Sequence, residues 1–84
     1  MKLQIYAVHD AAVGAFLQPL FLRSRGEAVR SFQDAVTDGK TQFAAHPEHY
    51  AMFYLGEYDD NTAEFVTASQ PERVCGALDF VVQS

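Results

Sequence analysis

Two imidazoles and a carboxylate stand within four residues, His46-Pro47-Glu48-His49, and a third imidazole, His9, lies near the N-terminus. These are zinc-ligand types. Their spacing is not the His-Glu-x-x-His arrangement that puts two histidines on one helix face, and Pro47 forbids a helix interior there. The segment therefore reads as a loop whose histidines cap backbone groups or face water, and no metal or cofactor is expected. Asp59-Asp60-Asn61 opens like a calcium loop, but Glu64 and Gln70 stand where that loop needs glycine and glutamate. Glu57, Asp59 and Glu64 would work as acid and base only if their surroundings drove their pKa values apart, and nothing in the sequence does so. Cys75 is the one cysteine, which excludes an intramolecular disulfide and a Cys-x-x-Cys site. Its neighbours Val74, Gly76, Ala77 and Leu78 mark it as a small buried hydrophobe. There is no glycine-rich phosphate loop and no Gly-x-Ser-x-Gly. The chain reads as a non-enzyme.

Binding is the stronger expectation, and charge divides the candidates. The net charge is −5. Residues 1–40 hold five cations against four carboxylates, a balance of +1, whereas residues 41–84 hold Arg73 against seven carboxylates, a balance of −6. An acidic chain is a poor non-specific nucleic-acid binder, because phosphate binding draws on Lys and Arg. The candidate nucleic-acid contact is accordingly local and weak: Lys2, Arg23, Arg25 and Arg30, with Tyr6, Phe21, Tyr54 and Tyr58 as rings on which single-stranded bases could stack. The same rings would serve equally as core and sheet covering. The alternative site is an acidic protein-binding surface of Glu48, Glu57, Asp59, Asp60 and Glu64.

The elements that must position these residues follow from periodicity. Lys2 to His9 alternates, with Leu3, Ile5 and Ala7 on one face and Gln4, Tyr6 and Val8 on the other, which predicts a first strand. Phe16 to Leu22 is apolar but contains Pro19, so an edge strand or an extended segment on the sheet is expected. Ser24-Arg25-Gly26-Glu27 is a capping box ahead of a helix from about Gly26 to Thr37. Its apolar stripe is Ala28, Val29, Phe32, Ala35 and Val36, and Gly39 follows as a stop. Lys40 to Glu48 reads as a loop. Tyr50 to Tyr58 is a long aromatic strand, and strict alternation puts Tyr50, Met52, Tyr54 and Tyr58 on one face. Asp59 to Thr62 makes the turn and Ala63 to Thr67 the return strand. Ser69-Gln70-Pro71-Glu72 looks like a second capping box, which predicts a short helix from Pro71 to Cys75 or Ala77, with a last edge strand or tail over Asp79 to Gln83. The sum is β-β-α-β-β-α, an α+β domain with a mostly antiparallel sheet and one main amphipathic helix.

All 84 residues fit one domain. A chain this short buries only about 60–65% of its unfolded surface, so a homo-oligomer is a natural way to cover the remainder. No apolar run approaches the ~20 residues that span a bilayer. The N-terminus lacks the pattern of a secretory signal, and a single cysteine suits a reducing compartment. A soluble intracellular protein is expected.

Four segments carry a family likeness: MKLQIYAVHD, AFLQPLF, EAVRSFQDAV and HPEHYAMFYLGEYDDNTAEF. In this order, over roughly residues 1–66, the chain resembles the small nonstructural protein of microviruses, tailless single-stranded DNA bacteriophages, with the closest likeness to the gokushovirus branch. The most specific part runs from His46-Pro47-Glu48 through Tyr50 to Leu55-Gly56-Glu57-Tyr58-Asp59-Asp60. The resemblance implies action in genome replication inside the host cytoplasm, at the switch to single-strand synthesis. It implies contact with single-stranded DNA or with a host or phage replication protein. It brings no catalytic motif.

Overall fold

The computed structural model describes residues 1–81. Strand β1 (Lys2–Asp10) is central. Two short strands, β2 (Ala15–Phe16) and β3 (Leu20–Leu22), pair antiparallel with one of its edges, and β4 (Tyr50–Asp59) pairs antiparallel with the other. The long β5 (Glu64–Gly76) pairs with β4 in turn. Helix α1 (Arg25–Thr37) follows β3, and the connection to β4 holds a one-turn helix α2 (Gln42–Ala45) and a 3-10 turn at Pro47–His49. A second 3-10 turn, Ala77–Phe80, follows β5. The α+β class, the antiparallel sheet and the single main helix are as the sequence predicts.

Helix α1 forms for the reasons its sequence gives. The Ser24 hydroxyl accepts the Glu27 N–H at 3.2 Å, an N-cap that satisfies one orphan donor. Glu27 reaches back to the Arg23 N–H at 3.4 Å, one residue beyond the reciprocal position of a capping box. Ala28, Phe32 and Val36 are buried, and they meet Tyr6, Val8, Tyr50, Met52, Cys75 and Ala77 in one core. The Phe16–Leu22 segment is an edge strand broken in two at Pro19, which cannot donate to the ladder.

Three expectations are corrected. The loop from Lys40 to Glu48 contains α2, capped by the Thr41 hydroxyl, which accepts the Ala44 N–H at 3.3 Å. The helix expected at Pro71 to Ala77 is absent: Glu72, Arg73 and Cys75 take ladder positions opposite Tyr54, Phe53 and Met52. A local capping pattern loses there to burial of Cys75 in the core, and Pro71 is tolerated because it falls where the pairing slips. Of the edge strand or tail expected over Asp79 to Gln83, the strand is not formed at Asp79 and Phe80, which belong to the second 3-10 turn, and the end of the segment lies outside the described residues.

Candidate nucleic-acid interface

Residues paired across a ladder share a face of the sheet, so the register sorts the side chains into two sets. Tyr6, Val8 and Asp10 pair with Tyr54, Met52 and Tyr50, and this set lies under α1. Leu3, Ile5, Ala7 and His9 pair with Tyr58, Gly56, Phe53 and Ala51 on the opposite face. The buried apolar residues of α1, and Phe43 and Phe80 beside them, belong to the core on the first face. On the second face Ile5 and Ala7 are also buried, outside the core under α1, while Phe16, Phe21 and Phe65 around them stay exposed, and this is the open face.

A bulge decides which tyrosine sits where. Ile5 pairs with Gly56 and Tyr6 with Tyr54, so Leu55 is an extra residue in β4. It shifts the alternation by one and turns Tyr58 to the open face, away from Tyr50, Met52 and Tyr54. The strict alternation expected from the sequence fails at this point. Gly56 makes the bulge feasible: its φ is +145°, and a Cβ there would collide with the Val66 carbonyl oxygen and approach the Thr67 Cα to 2.8 Å.

The open face carries two aromatic clusters. His9, Phe16 and Phe53 meet edge to face, with centroids 4.7 Å (His9–Phe16), 5.5 Å (Phe16–Phe53) and 6.0 Å (His9–Phe53) apart. Phe21, Tyr58 and Phe65 meet at 5.6 Å (Phe21–Tyr58), 4.7 Å (Tyr58–Phe65) and 6.3 Å (Phe21–Phe65). Phe16 and Phe21 are each 44% exposed and Phe65 is 60% exposed, so large apolar rings stand in solvent on this face. His9 pairs with Phe16 and Ile5 with Phe21, so the clusters stand four residues, or about 13 Å, apart along β1.

Charge is segregated between the faces. The paired carboxylates Asp10, Glu57, Asp59, Glu64 and Glu72 all share the helix face. On the open face the paired charge is Arg73, opposite Phe53. Its guanidinium lies over Gly76, where an added Cβ would come within 2.5 Å of Nη2. It makes no ion pair among the described residues.

The four cations expected at a nucleic-acid site do not form one patch. Lys2 is on the helix face, in a shallow pocket with Glu57, Asp59, Glu64 and Val66. Arg25 is committed: its Nη2 lies 3.3 Å from Glu72 Oε2, and the guanidinium sits 5.6 Å from the Tyr54 ring centroid. The Tyr6 hydroxyl first, and Glu72 after it, hold this guanidinium in its charged form. Arg23 and Arg30 are exposed near the start and middle of α1 without an ion pair among the described residues. Of the expected stacking rings, Phe21 and Tyr58 are on the open face, while Tyr6 is fully buried and Tyr54 faces α1.

The acidic candidates are better gathered. Glu57, Asp59 and Glu64 meet at the hairpin end around Lys2, and Asp60 Oδ1 accepts from the N-terminal ammonium at 2.7 Å. That hydrogen bond raises the ammonium pKa above its ordinary value. Glu48 lies apart, at the other end of β4, with Oε1 3.7 Å from His49 Nε2 and 4.0 Å from His46 Nδ1. No helix among the described residues is long and apolar enough to cross a membrane.

Phe16, Phe53, Phe65, His9 and Arg73 lie together on the open face, and reading the sequence does not single them out as nucleic-acid contacts. Arg73 was counted as a lone cation in an acidic half, and only the ladder places it away from the carboxylates. Gly56 was the one available signal, since a glycine inside a strand pattern marks a bulge. No curated protein and no solved structure matches the chain. The family model described as Phage ORF5 protein matches residues 3–80, nearly the whole length. The chain belongs to the Phage ORF5 protein family and is a bacteriophage protein.

Proposed function

We propose that this phage protein is a non-enzymatic single-stranded DNA-binding protein that acts in replication of a single-stranded DNA phage genome of the microvirus, gokushovirus-like type. Bases stack on the Phe21, Tyr58 and Phe65 cluster and on the Phe16 and Phe53 cluster, and Arg73 takes a phosphate. The observation that carries this reading is the segregation of the sheet: an open face of exposed rings whose paired charge is an arginine, with the paired carboxylates on the other side. Ring-to-base stacking is sequence-tolerant, and on a chain of net charge −5 the ladder keeps the paired carboxylates off this face and Arg73 on it. Two platforms about 13 Å apart suit splayed bases, whereas a duplex stacks its bases at 3.4 Å and presents phosphates, for which this face has one cation.

The test is fluorescence anisotropy of labelled oligothymidine and of a duplex against untagged protein at about 50 and 200 mM salt. One or two phosphate contacts predict a log–log salt slope of about −0.7 to −1.4 on single strands. Each of Phe21→Ala, Tyr58→Ala and Phe65→Ala should weaken binding by about 1–3 kcal/mol. Binding that survives these substitutions, or none at high micromolar protein in low salt, overturns the proposal. A light-scattering mass identifies the competing occupant: a dimer dispersed by the same three substitutions assigns the face to a second copy.

The acidic hairpin supports a second reading. Glu57, Asp59 and Glu64 converge on one pocket, a surface for a basic segment of a host or phage replication protein. Loss of such a partner on charge neutralisation of the three would favour it.

A further inference from the structure

We infer that His46, Glu48 and His49 hold a divalent transition-metal ion. The backbone presents the three side chains together. The His46 N–H donates to the Gln42 carbonyl at 3.0 Å, the His49 N–H to the His46 carbonyl at 3.0 Å, and the Tyr50 N–H to the Pro47 carbonyl. Pro47 locks its own φ at the first position of this 3-10 turn. The two imidazoles lie one above the other across this turn, with centroids 5.8 Å apart and planes within 24°. One donor atom from each of the three residues lies within 4.8 Å of the other two.

The distances are near those of a bound ion. Zinc bonds of about 2.0–2.1 Å in a tetrahedron place neighbouring ligand atoms about 3.3 Å apart. Glu48 Oε1 is 3.7 Å from His49 Nε2 and 4.0 Å from His46 Nδ1, and no pair in the set exceeds 4.8 Å, so side-chain rotations that bring donor atoms together by about 0.4–1.5 Å close it. All three side chains are exposed enough to make them, and no hydrogen bond commits their donor atoms among the described residues. Two imidazoles and one carboxylate select Zn²⁺, Cu²⁺ or Ni²⁺ over the oxygen-seeking Mg²⁺ and Ca²⁺. A fourth position stays open to water. The spacing disfavours a metal only on the assumption that both histidines must share an α-helix face, and the 3-10 turn removes that requirement.

Glu48 and His49 also rim a pocket with His9, Phe53 and Arg73, which sets the ion at the edge of the open face. The metal assignment stands without the DNA reading, since its ligands and its test involve no nucleic acid.

The experiment is calorimetric titration of ZnCl₂ into untagged, metal-stripped protein, with MgCl₂ as the comparison. One equivalent of zinc should bind and magnesium should not, with an affinity about 10–100-fold below that of a site whose ligands are hydrogen-bonded from behind. His46→Ala and His49→Ala should each weaken binding at least tenfold, and His9→Ala should leave it unchanged. Because both loop histidines are at the surface, circular dichroism of the variants should match the parent. Less than one tenth of an equivalent bound at 100 µM free zinc, or undiminished binding by both loop variants, would overturn the assignment.

Discussion

Replacing Gly56 with alanine should be among the most damaging small substitutions in this chain. The residue has φ of +145°, a region nearly closed to side chains, which costs of order 1–3 kcal/mol. The new methyl group would also press on the Val66 carbonyl and on the Thr67 Cα, both backbone atoms of the neighbouring strand. Overpacking of that kind costs about 1–3 kcal/mol when the neighbour must shift. Together the loss should be about 2–6 kcal/mol, which at about 4–8 °C per kcal/mol in a domain this size lowers Tm by roughly 10–45 °C. Urea unfolding followed by circular dichroism reads it directly. Gly14→Ala is the matched control, because Gly14 also has positive φ, +74°, but nothing lies within 4 Å of its Cβ position. It should lose only the left-handed backbone cost of about 1–2 kcal/mol. If Gly56→Ala falls within 0.5 kcal/mol of the parent, or equals Gly14→Ala, the bulge that turns Tyr58 to the open face is wrongly described.

Other substitutions probe other parts of the account. Phe32→Ala empties the centre of the core, where its ring meets Phe43 at 5.6 Å and Phe80 at 6.2 Å, and should cost about 3–5 kcal/mol in the same urea assay. Ala63 closes the hairpin turn with φ of +61°, so Ala63→Gly should raise stability by about 0.5–1 kcal/mol. Burial first, and Asp79 second, push the Cys75 thiol above its ordinary pKa, so it should react slowly with a thiol reagent in the folded protein and quickly in urea. The native pKa lies above the unfolded one, so this contribution to stability is complete below about pH 8.5 and declines as pH rises beyond it. Cys75→Ala should flatten that decline in urea midpoints measured from pH 8 to 10.

Elements whose local signals agree with the fold were legible in the sequence. The helix is the clearest case: a cap at Ser24, a stripe from Ala28 to Val36 and a stop at Gly39 all point the same way. The first strand, the aromatic strand and the turn were equally plain, and Pro19 foretold the broken edge. The second helix was misread because a capping pattern around Ser69 to Glu72 is a local preference, while burial of Cys75 opposite Met52 is a tertiary one. The open face was mostly illegible for a related reason. Counting cations finds Lys2 and Arg25, but the ladder puts Lys2 among carboxylates and Glu72 occupies Arg25. One inserted residue at Leu55 reverses every face assignment beyond it, and alternation alone cannot reveal an insertion. The histidine loop shows the same limit, since its donor distances depend on a 3-10 turn that the sequence did not announce.

Whether the open face is the DNA-binding face is best tested by amide chemical-shift mapping, with an oligothymidine of about eight nucleotides titrated into labelled protein. The account predicts shifts concentrated at Ile5, Ala7, Phe21, Phe53, Tyr58, Phe65 and Arg73, with α1 and the acidic hairpin pocket unmoved. Shifts centred instead on Lys2, Arg23, Arg25 and Arg30, or none at millimolar oligonucleotide, would contradict it.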